Sequence, residues 1–412
     1  MKVKITPFNA CGEVIAPPSK SFAHRYLIAA YLAGKKCTVK NVGNSDDVNA
    51  TVRALKSLGG KLERKGDDVV VLGKEKADNV TVDCGESGST LRFLLPVAAA
   101  LGINAEFTGS ERLLSRPIED IARAVEGHSA VITGHKTCGR LQAGKYILDG
   151  SLSSQFITGL LFALSVLDGE SEIVLTGKRV SAGYIDITLS VLREFGVQIT
   201  ETATGYIITG GYNPPSEVTV EGDWSGAAFM LSIGALTGEV TVKNLKYPSL
   251  QSDSAIVGIL QKFGVCLTAD KNSVTAKKGD ISGVNAIDCE NCPDIAQVIS
   301  SIAAFYKGET VLTGIKRLKI KESDRIIAII NTLASCGIKA VSDGENLTVF
   351  GGNPKGGSFD GGNDHRTVMS SAVIACGADG VSVIDGAEHC AKSYPEFFED
   401  LKRLGGKVDV NL

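Results

Sequence analysis

The sequence predicts an α/β protein of two domains, turned inside out relative to a Rossmann arrangement, with helices inside and sheets around them. Three observations predict it: two series of glycines share one period, six helical segments are apolar nearly all round, and alternating segments follow each second glycine. The first series, Gly34, Gly102, Gly169, Gly238, Gly308 and Gly377, is spaced by 67–70 residues; the second, Gly59, Gly127, Gly196, Gly264, Gly337 and Gly405, by 68–73. Six units share the 412 residues at about 69 each, the signature of a repeat architecture.

Within a unit the elements follow in order. The first helix appears as SKSFAHRYLIAAYLAGK, SGSTLRFLLPVAAALGI, SSQFITGLLFALSVLDGE, WSGAAFMLSIGALTGE, PDIAQVISSIAAFYKGE and HRTVMSSAVIACGADG. A helix without a polar face belongs in an interior. Its glycine stop fits a C-cap, where a left-handed residue costs little without Cβ. A strand and a second helix come next, and segments such as KLERKGDDVVVLGK or VQITETATGYIITGG then read as strand, turn and strand. One unit is βαβαββ. The sixth is short, 48 residues from His365, and the 18 residues before Ser19, a strand and a turn, are expected to complete its sheet. Residues 19–222 then form a first domain of three units, and 1–18 with 223–412 a second. The chain crosses twice, near 16–20 and 220–225, which makes a natural hinge.

Composition narrows the partners. A net charge of −3 argues against nucleic acid and anionic membranes, yet leaves room for a local cluster of cations around a small anion. The longest apolar stretch, Phe93 to Ile103, is interrupted and falls short of the roughly 20 residues that span a bilayer. No secretory segment is expected in MKVKITPFNACGEVIAPP, so the expected location is cytoplasmic. The ten cysteines are scattered in apolar surroundings; Cys289 and Cys292 have a metal-like spacing but no second pair, and read as packing residues.

Polar residues gather where the first helices begin: Lys20, Ser21 and Arg25; Ser87, Ser89 and Arg92; Ser153, Ser154 and Gln155; Asp223 and Ser225; Asp294; Asp364, His365 and Arg366. Helix N-termini are ready anion sites. Serines and aspartates there also serve as caps. Capping does not account for Lys20, Arg25, Arg92 and Arg366, since a cation in the first turn opposes the helix dipole unless an anion lies nearby. Loops add Arg112, Arg116, Lys321, Arg325 and Lys392. In KESDR, Glu322 on this segment alone reads as an ion-paired helix start ahead of a proton carrier held among cations.

PSKSFAHR (18–25), SGSTLR (87–92), ERLLSRP (111–117), DGSLSSQF (149–156), YIDITL (184–189), KESDR (321–325), NDHR (363–366) and AKSYP (391–395) together resemble the enolpyruvylshikimate-3-phosphate synthase family, in its order and across the whole chain. The resemblance implies a two-domain inside-out α/β barrel, the enolpyruvyl transferase fold, and a reaction of shikimate 3-phosphate with phosphoenolpyruvate in an interdomain cleft. It assigns shikimate 3-phosphate to Lys20, Ser21, Arg25, Ser153, Ser154, Gln155, Ser181, Tyr184, Asp294 and Lys321. It assigns phosphoenolpyruvate to Lys20, Gly88, Arg116, Gln155, Arg325, Arg366 and Lys392. Asp294 becomes the base for the 5-hydroxyl, Glu322 the proton donor and acceptor at C3, and Lys20 a proton-transfer and phosphate-stabilising group. No metal or cofactor is implied, and a monomer is the default.

Three positions depart from the family pattern: Glu86 stands where Asn is common, Ser89 where Thr is usual, and Arg317 where Asn is frequent, so no substrate contact is carried over to Arg317. Two other readings compete. The sister enzyme acting on UDP-N-acetylglucosamine has Lys-Asn at its first helix and a reactive Cys in the loop here read SERLLSRP, whereas this chain has Lys20-Ser21 and no Cys there. A non-catalytic hinge-closing anion-binding protein would not need both Asp294 and Glu322.

Overall fold

The computed structural model describes residues 1–151, 153–177, 182–282 and 285–411. The chain divides into two compact units, Pro18–Glu221 on one side and Met1–Pro17 with Gly222–Leu412 on the other. Each unit holds three four-stranded sheets. In one of them Lys145–Asp149, Ser171–Thr176, Gly205–Gly210 and Gln198–Glu201 lie side by side in that order, the first pair parallel and the rest antiparallel. The other five follow the same rule.

The helices expected in the interior are there. Every residue of Trp224–Thr237 is buried except Ser225, and every residue of His365–Gly377 except Gly377. Gly88–Leu101 leaves only Ser89 and Leu101 outside the fully buried set. It packs closely on Ser154–Leu164, because a Cβ on Gly159 would stand 2.5 Å from the Arg92 carbonyl oxygen. The strands cover these helices with one face and meet water with the other: Glu239–Lys243 buries Val240 and Val242 and exposes Glu239 and Lys243. Directly opposed charges line the wet faces, Glu106 with Lys136 at 3.0 Å, Glu172 with Lys145 at 3.2 Å and Glu239 with Lys277 at 3.2 Å. Exposed pairs of this kind add well under about 1 kcal/mol each and serve mainly to keep that face polar.

The amino-terminal segment is more divided than the sequence suggests. Lys2–Thr6 inserts between Ser382–Asp385 and Lys407–Asn411, but Cys11–Ile15 is a separate strand in another sheet, parallel to Glu239–Lys243. Its counterpart is Glu217–Thr219, which precedes the helix Trp224–Thr237 yet pairs with Cys37–Lys40 in the other unit. Elsewhere the strand before a core helix pairs with the strand after it, as Val80–Asp83 does with Ala105–Thr108. At both crossings the strand stays in the unit the chain is leaving, and only the helix moves on.

The glycines also differ from expectation. All of the second series have φ between 79° and 92°, the left-handed conformation. In the first series only Gly34, Gly102 and Gly169 do. Gly238 has a φ of −176° and is required by proximity instead, since a Cβ there would lie 1.9 Å from the Ala10 carbonyl oxygen.

Candidate active site

In the Pro18–Glu221 unit the nominated residues collect around three helix starts. Lys20 opens Lys20–Ala33, and its ammonium lies 2.7 Å from Asp47 Oδ2 on the neighbouring helix Asp46–Ser57. Arg25 is buried one turn further on. Its guanidinium donates to Thr188 Oγ1 at 2.8 Å, to Thr158 Oγ1 at 3.5 Å, and to the carbonyls of Ser21 at 2.7 Å and Tyr184 at 3.0 Å. It also sits over the Phe93 ring, 5.1 Å from its centre. Among the described residues no carboxylate pairs with it, and burial pulls its pKa down to about 9. A desolvated cation surrounded by neutral acceptors is a strong site for an anion.

The other two helix starts are joined by Gln155. Ser153 caps Ser154–Leu164 by accepting from the Gln155 N–H at 3.3 Å. The Gln155 amide donates to Ser89 Oγ at 3.1 Å and accepts from Arg92 Nη1 at 2.8 Å. Ser154 is buried beside it. Gly88 opens its helix with the Arg116 guanidinium packed against it, since a Cβ there would stand 2.5 Å from Arg116 Nη1. The Arg116 Nε is buried without a hydrogen-bond partner. A guanidinium packed on the positive end of a helix is repelled unless an anion binds nearby. Ser181, nominated for shikimate 3-phosphate, lies outside the described residues. Glu86 and Arg112 are exposed.

In the second unit the charges interlock. Asp294 Oδ1 faces Lys321 Nζ at 3.3 Å and Arg325 Nη1 at 3.0 Å; its Oδ2 faces Arg366 Nη2 at 3.4 Å, and its carbonyl accepts from Arg366 Nη1 at 2.6 Å. Asp294 lies in the turn Pro293–Ile295, and its side chain, turned to these cations, does not cap the helix Ala296–Ala303. Burial alone would raise its pKa, but Arg366, Lys321 and Arg325 outweigh burial and hold it well below the usual carboxylate range. Arg325 is 1% exposed and grips three carboxylates: Asp364 Oδ2 at 2.8 Å, Asp294, and Glu322 Oε2 at 2.7 Å. Asp324 caps the helix Arg325–Ser335 through the N–H groups of Ile326 and Ile327, so helix capping in KESDR falls to Asp324 and ion pairing to Glu322. Asp364 caps its own helix through the Arg366 N–H at 2.9 Å; burial opposes its charge, yet Arg325 and His365 bring its pKa down to about 2. Lys392 is buried at the end of the turn Ala387–Lys392. Arg317 holds the Glu290 carbonyl at 2.7 Å.

Four residues of these clusters were not singled out from sequence. Asp47 pairs with Lys20, and its position behind Ser45 and Asp46 looks like ordinary helix capping. Asp253 accepts from Ser225 Oγ while its Oδ1 is buried with no partner; burial and the nearby Asp294 push its pKa up to about 7. His24 and Thr51, hydrogen-bonded at 2.7 Å, fall on faces that read as core. Cys289 and Cys292 are free thiols buried just before Asp294, and the Cys289 thiol is pushed well above its ordinary pKa by its hydrogen bond with Cys292 and by burial. Among the described residues no group of three His, Cys, Asp or Glu side chains is arranged to hold a metal ion, and no helix is long and apolar enough to cross a membrane.

Residues 6–401 match the family described as EPSP synthase (3-phosphoshikimate 1-carboxyvinyltransferase). The chain is 38% identical to a 3-phosphoshikimate 1-carboxyvinyltransferase of Clostridium beijerinckii, covering 99% of this chain and 98% of the relative. It is 37% identical to that of Halobacterium salinarum, covering 99% and 100%. The solved EPSP synthase of Acinetobacter baumannii superposes over the full length of both chains with a TM-score of 0.84 at 25% identity. On the combined weight of helix-filled sheets, anion-poised helix starts and likeness along the whole sequence, this chain belongs to the EPSP synthase (3-phosphoshikimate 1-carboxyvinyltransferase) family.

Proposed function

We propose that the chain transfers the enolpyruvyl group of phosphoenolpyruvate to the 5-hydroxyl of shikimate 3-phosphate and releases phosphate, by addition and elimination through a tetrahedral intermediate. Full-length family membership supports the activity. The observation that carries the chemistry is the placement of two carboxylates, Asp294 and Glu322, on one buried arginine, Arg325.

Asp294 takes the proton of the attacking hydroxyl. Its surrounding cations make it a weak base in the free protein, and anionic substrates that occupy Arg366, Lys321 and Arg325 raise its basicity when it is needed. Glu322 gives a proton to C3 and takes one back as phosphate leaves, with Arg325 fixing its orientation. Lys20 stabilises the departing phosphate and moves a proton, held at its post by Asp47. Ser153, Ser154 and Gln155 receive the shikimate phosphate at a helix N-terminus, with Ser181 nominated alongside them. Arg25 exchanges a neutral acceptor for the shikimate carboxylate, beside Ser21 and Tyr184. Gly88, Arg116, Arg366 and Lys392 hold phosphoenolpyruvate. The reading includes a cytoplasmic monomer whose two units are the domains expected from the sequence.

Phosphate release from phosphoenolpyruvate tests the proposal. Release with shikimate 3-phosphate and none with UDP-N-acetylglucosamine is expected; the reverse would replace the acceptor with the sugar nucleotide, and release with neither would leave a binding protein.

A further inference from the structure

His24 is a buried titratable group that the chemistry above does not use. Its Nδ1 lies 2.7 Å from Thr51 Oγ1, which lies 2.6 Å from Thr90 Oγ1. Thr90 Oγ1 donates to Ser87 Oγ at 2.7 Å, and the Thr90 N–H donates to the same oxygen at 3.2 Å. All four side chains are at most 1% exposed, so no solvent substitutes for any link. The chain ties together the first two turns of three helices, those bearing Lys20, Asp47 and Gly88. Lys20 and His24 are four residues apart, as are Asp47 and Thr51, so the Lys20–Asp47 ion pair and the His24–Thr51 bond join the same two helix faces one turn apart.

Proton counting gives the chain a direction. The Thr90 hydroxyl proton goes to Ser87, so the Thr51 proton goes to Thr90, and the His24 nitrogen facing Thr51 must be the donor. His24 Nε2 is then the unprotonated nitrogen; it is buried with no partner, and the ring stands edge-on to Phe93 at 6.5 Å. Burial, opposed by Asp47 and reinforced by Lys20 and Arg25, lowers the His24 pKa to about 3, in keeping with a neutral ring.

We propose that neutral His24, as the Nδ1–H tautomer, is a positioning residue that sets the Lys20 ammonium against the helix start at Gly88 through Thr51, Thr90 and Ser87. The proposal rests on the reading that Lys20 and Gly88 meet phosphoenolpyruvate. His24→Phe and Thr90→Val cut the chain at two places, and each is expected to raise KM for phosphoenolpyruvate about tenfold, the value of one buried hydrogen bond in a tenfold-per-1.4 kcal/mol scale. KM for shikimate 3-phosphate should move less. The double variant should be no worse than either single one, because both break one chain. His24→Asn, whose amide N–H reaches the same oxygen, should restore most of the loss. Nitrogen-15 NMR of histidine-labelled wild-type protein should show a protonated Nδ1 and a bare Nε2 that do not titrate between pH 5 and 8.

A protonated Nε2, or a ring that titrates near 6.5, would overturn the tautomer. An unchanged KM for phosphoenolpyruvate in folded His24→Phe or Thr90→Val, or equal losses for both substrates without rescue by Asn, would overturn the positioning role. Wild-type protein with no turnover on these substrates would instead sink the functional reading, and the NMR result would still decide the hydrogen-bond chain.

Discussion

Arg325 shows why single side chains in this site cannot be read by type alone. A 1% exposed guanidinium shared among Asp364, Asp294 and Glu322 is a structural tie and, in the proposed reaction, also the group that orients the proton carrier Glu322. Replacing it by Met leaves Asp364 buried without its main counter-charge and should cost about 3–5 kcal/mol in urea unfolding. Adding Asp364→Asn should recover part of that. Glu322→Gln keeps shape and loses the exchangeable proton, so kcat should fall at least about 10²-fold with an unchanged unfolding midpoint; unchanged turnover would remove Glu322 from the proton path. His24 supplies a pH dependence whose sign follows from its lowered pKa. The unfolded chain binds the proton near 6.5 and the folded one only near 3, so its contribution is complete above 6.5 and is lost as pH falls toward 3. The slope is at most about 1.4 kcal/mol per pH unit, and His24→Asn should remove it from the acid limb of the stability curve.

At the scale of elements, the helix starts divide into two kinds. Asp223 caps Trp224–Thr237 by accepting from the Gly226 N–H at 2.7 Å, and Asp223→Ala should cost about 1 kcal/mol of stability. Gly88 opens its helix for a different reason: it leaves space for Arg116. A methyl there displaces the end of a flexible side chain, not backbone. Gly88→Ala should therefore raise KM for phosphoenolpyruvate while the thermal midpoint stays put. Gly238→Ala presents the opposite case. Its Cβ would meet a carbonyl at 1.9 Å, so stability should fall without any direct effect on substrate binding.

The whole molecule is organised by two strand exchanges. Residues 1–17 supply two strands to two different sheets of the second unit, Lys2–Thr6 and Cys11–Ile15. Removing them would uncover the edges of Glu239–Lys243, Ser382–Asp385 and Lys407–Asn411, and the truncated chain should aggregate on expression. The nominated substrate groups are divided between the units, Lys20, Arg25, Gln155 and Arg116 in one and Asp294, Glu322, Arg325 and Arg366 in the other. If one reaction uses both sets, small-angle scattering should show a smaller radius of gyration with both ligands than with neither; no compaction would count against the hinge.

Much of this was legible in the residues themselves. Six stretches without a polar face are buried helices, because an all-apolar helix has no stable place in water. Cations in first turns stand out because the helix dipole opposes them. Tertiary structure alone decided which strand stays behind at each crossing, since strands with the same alternating pattern occur in every sheet. It also decided that Asp324 caps while Glu322 pairs, that Asp47 meets Lys20, and that His24, Thr51, Thr90 and Ser87 form one hydrogen-bonded line. A contact between residues far apart in sequence depends on angles and distances of an ångström or less, and residue type and spacing constrain burial and period but not those.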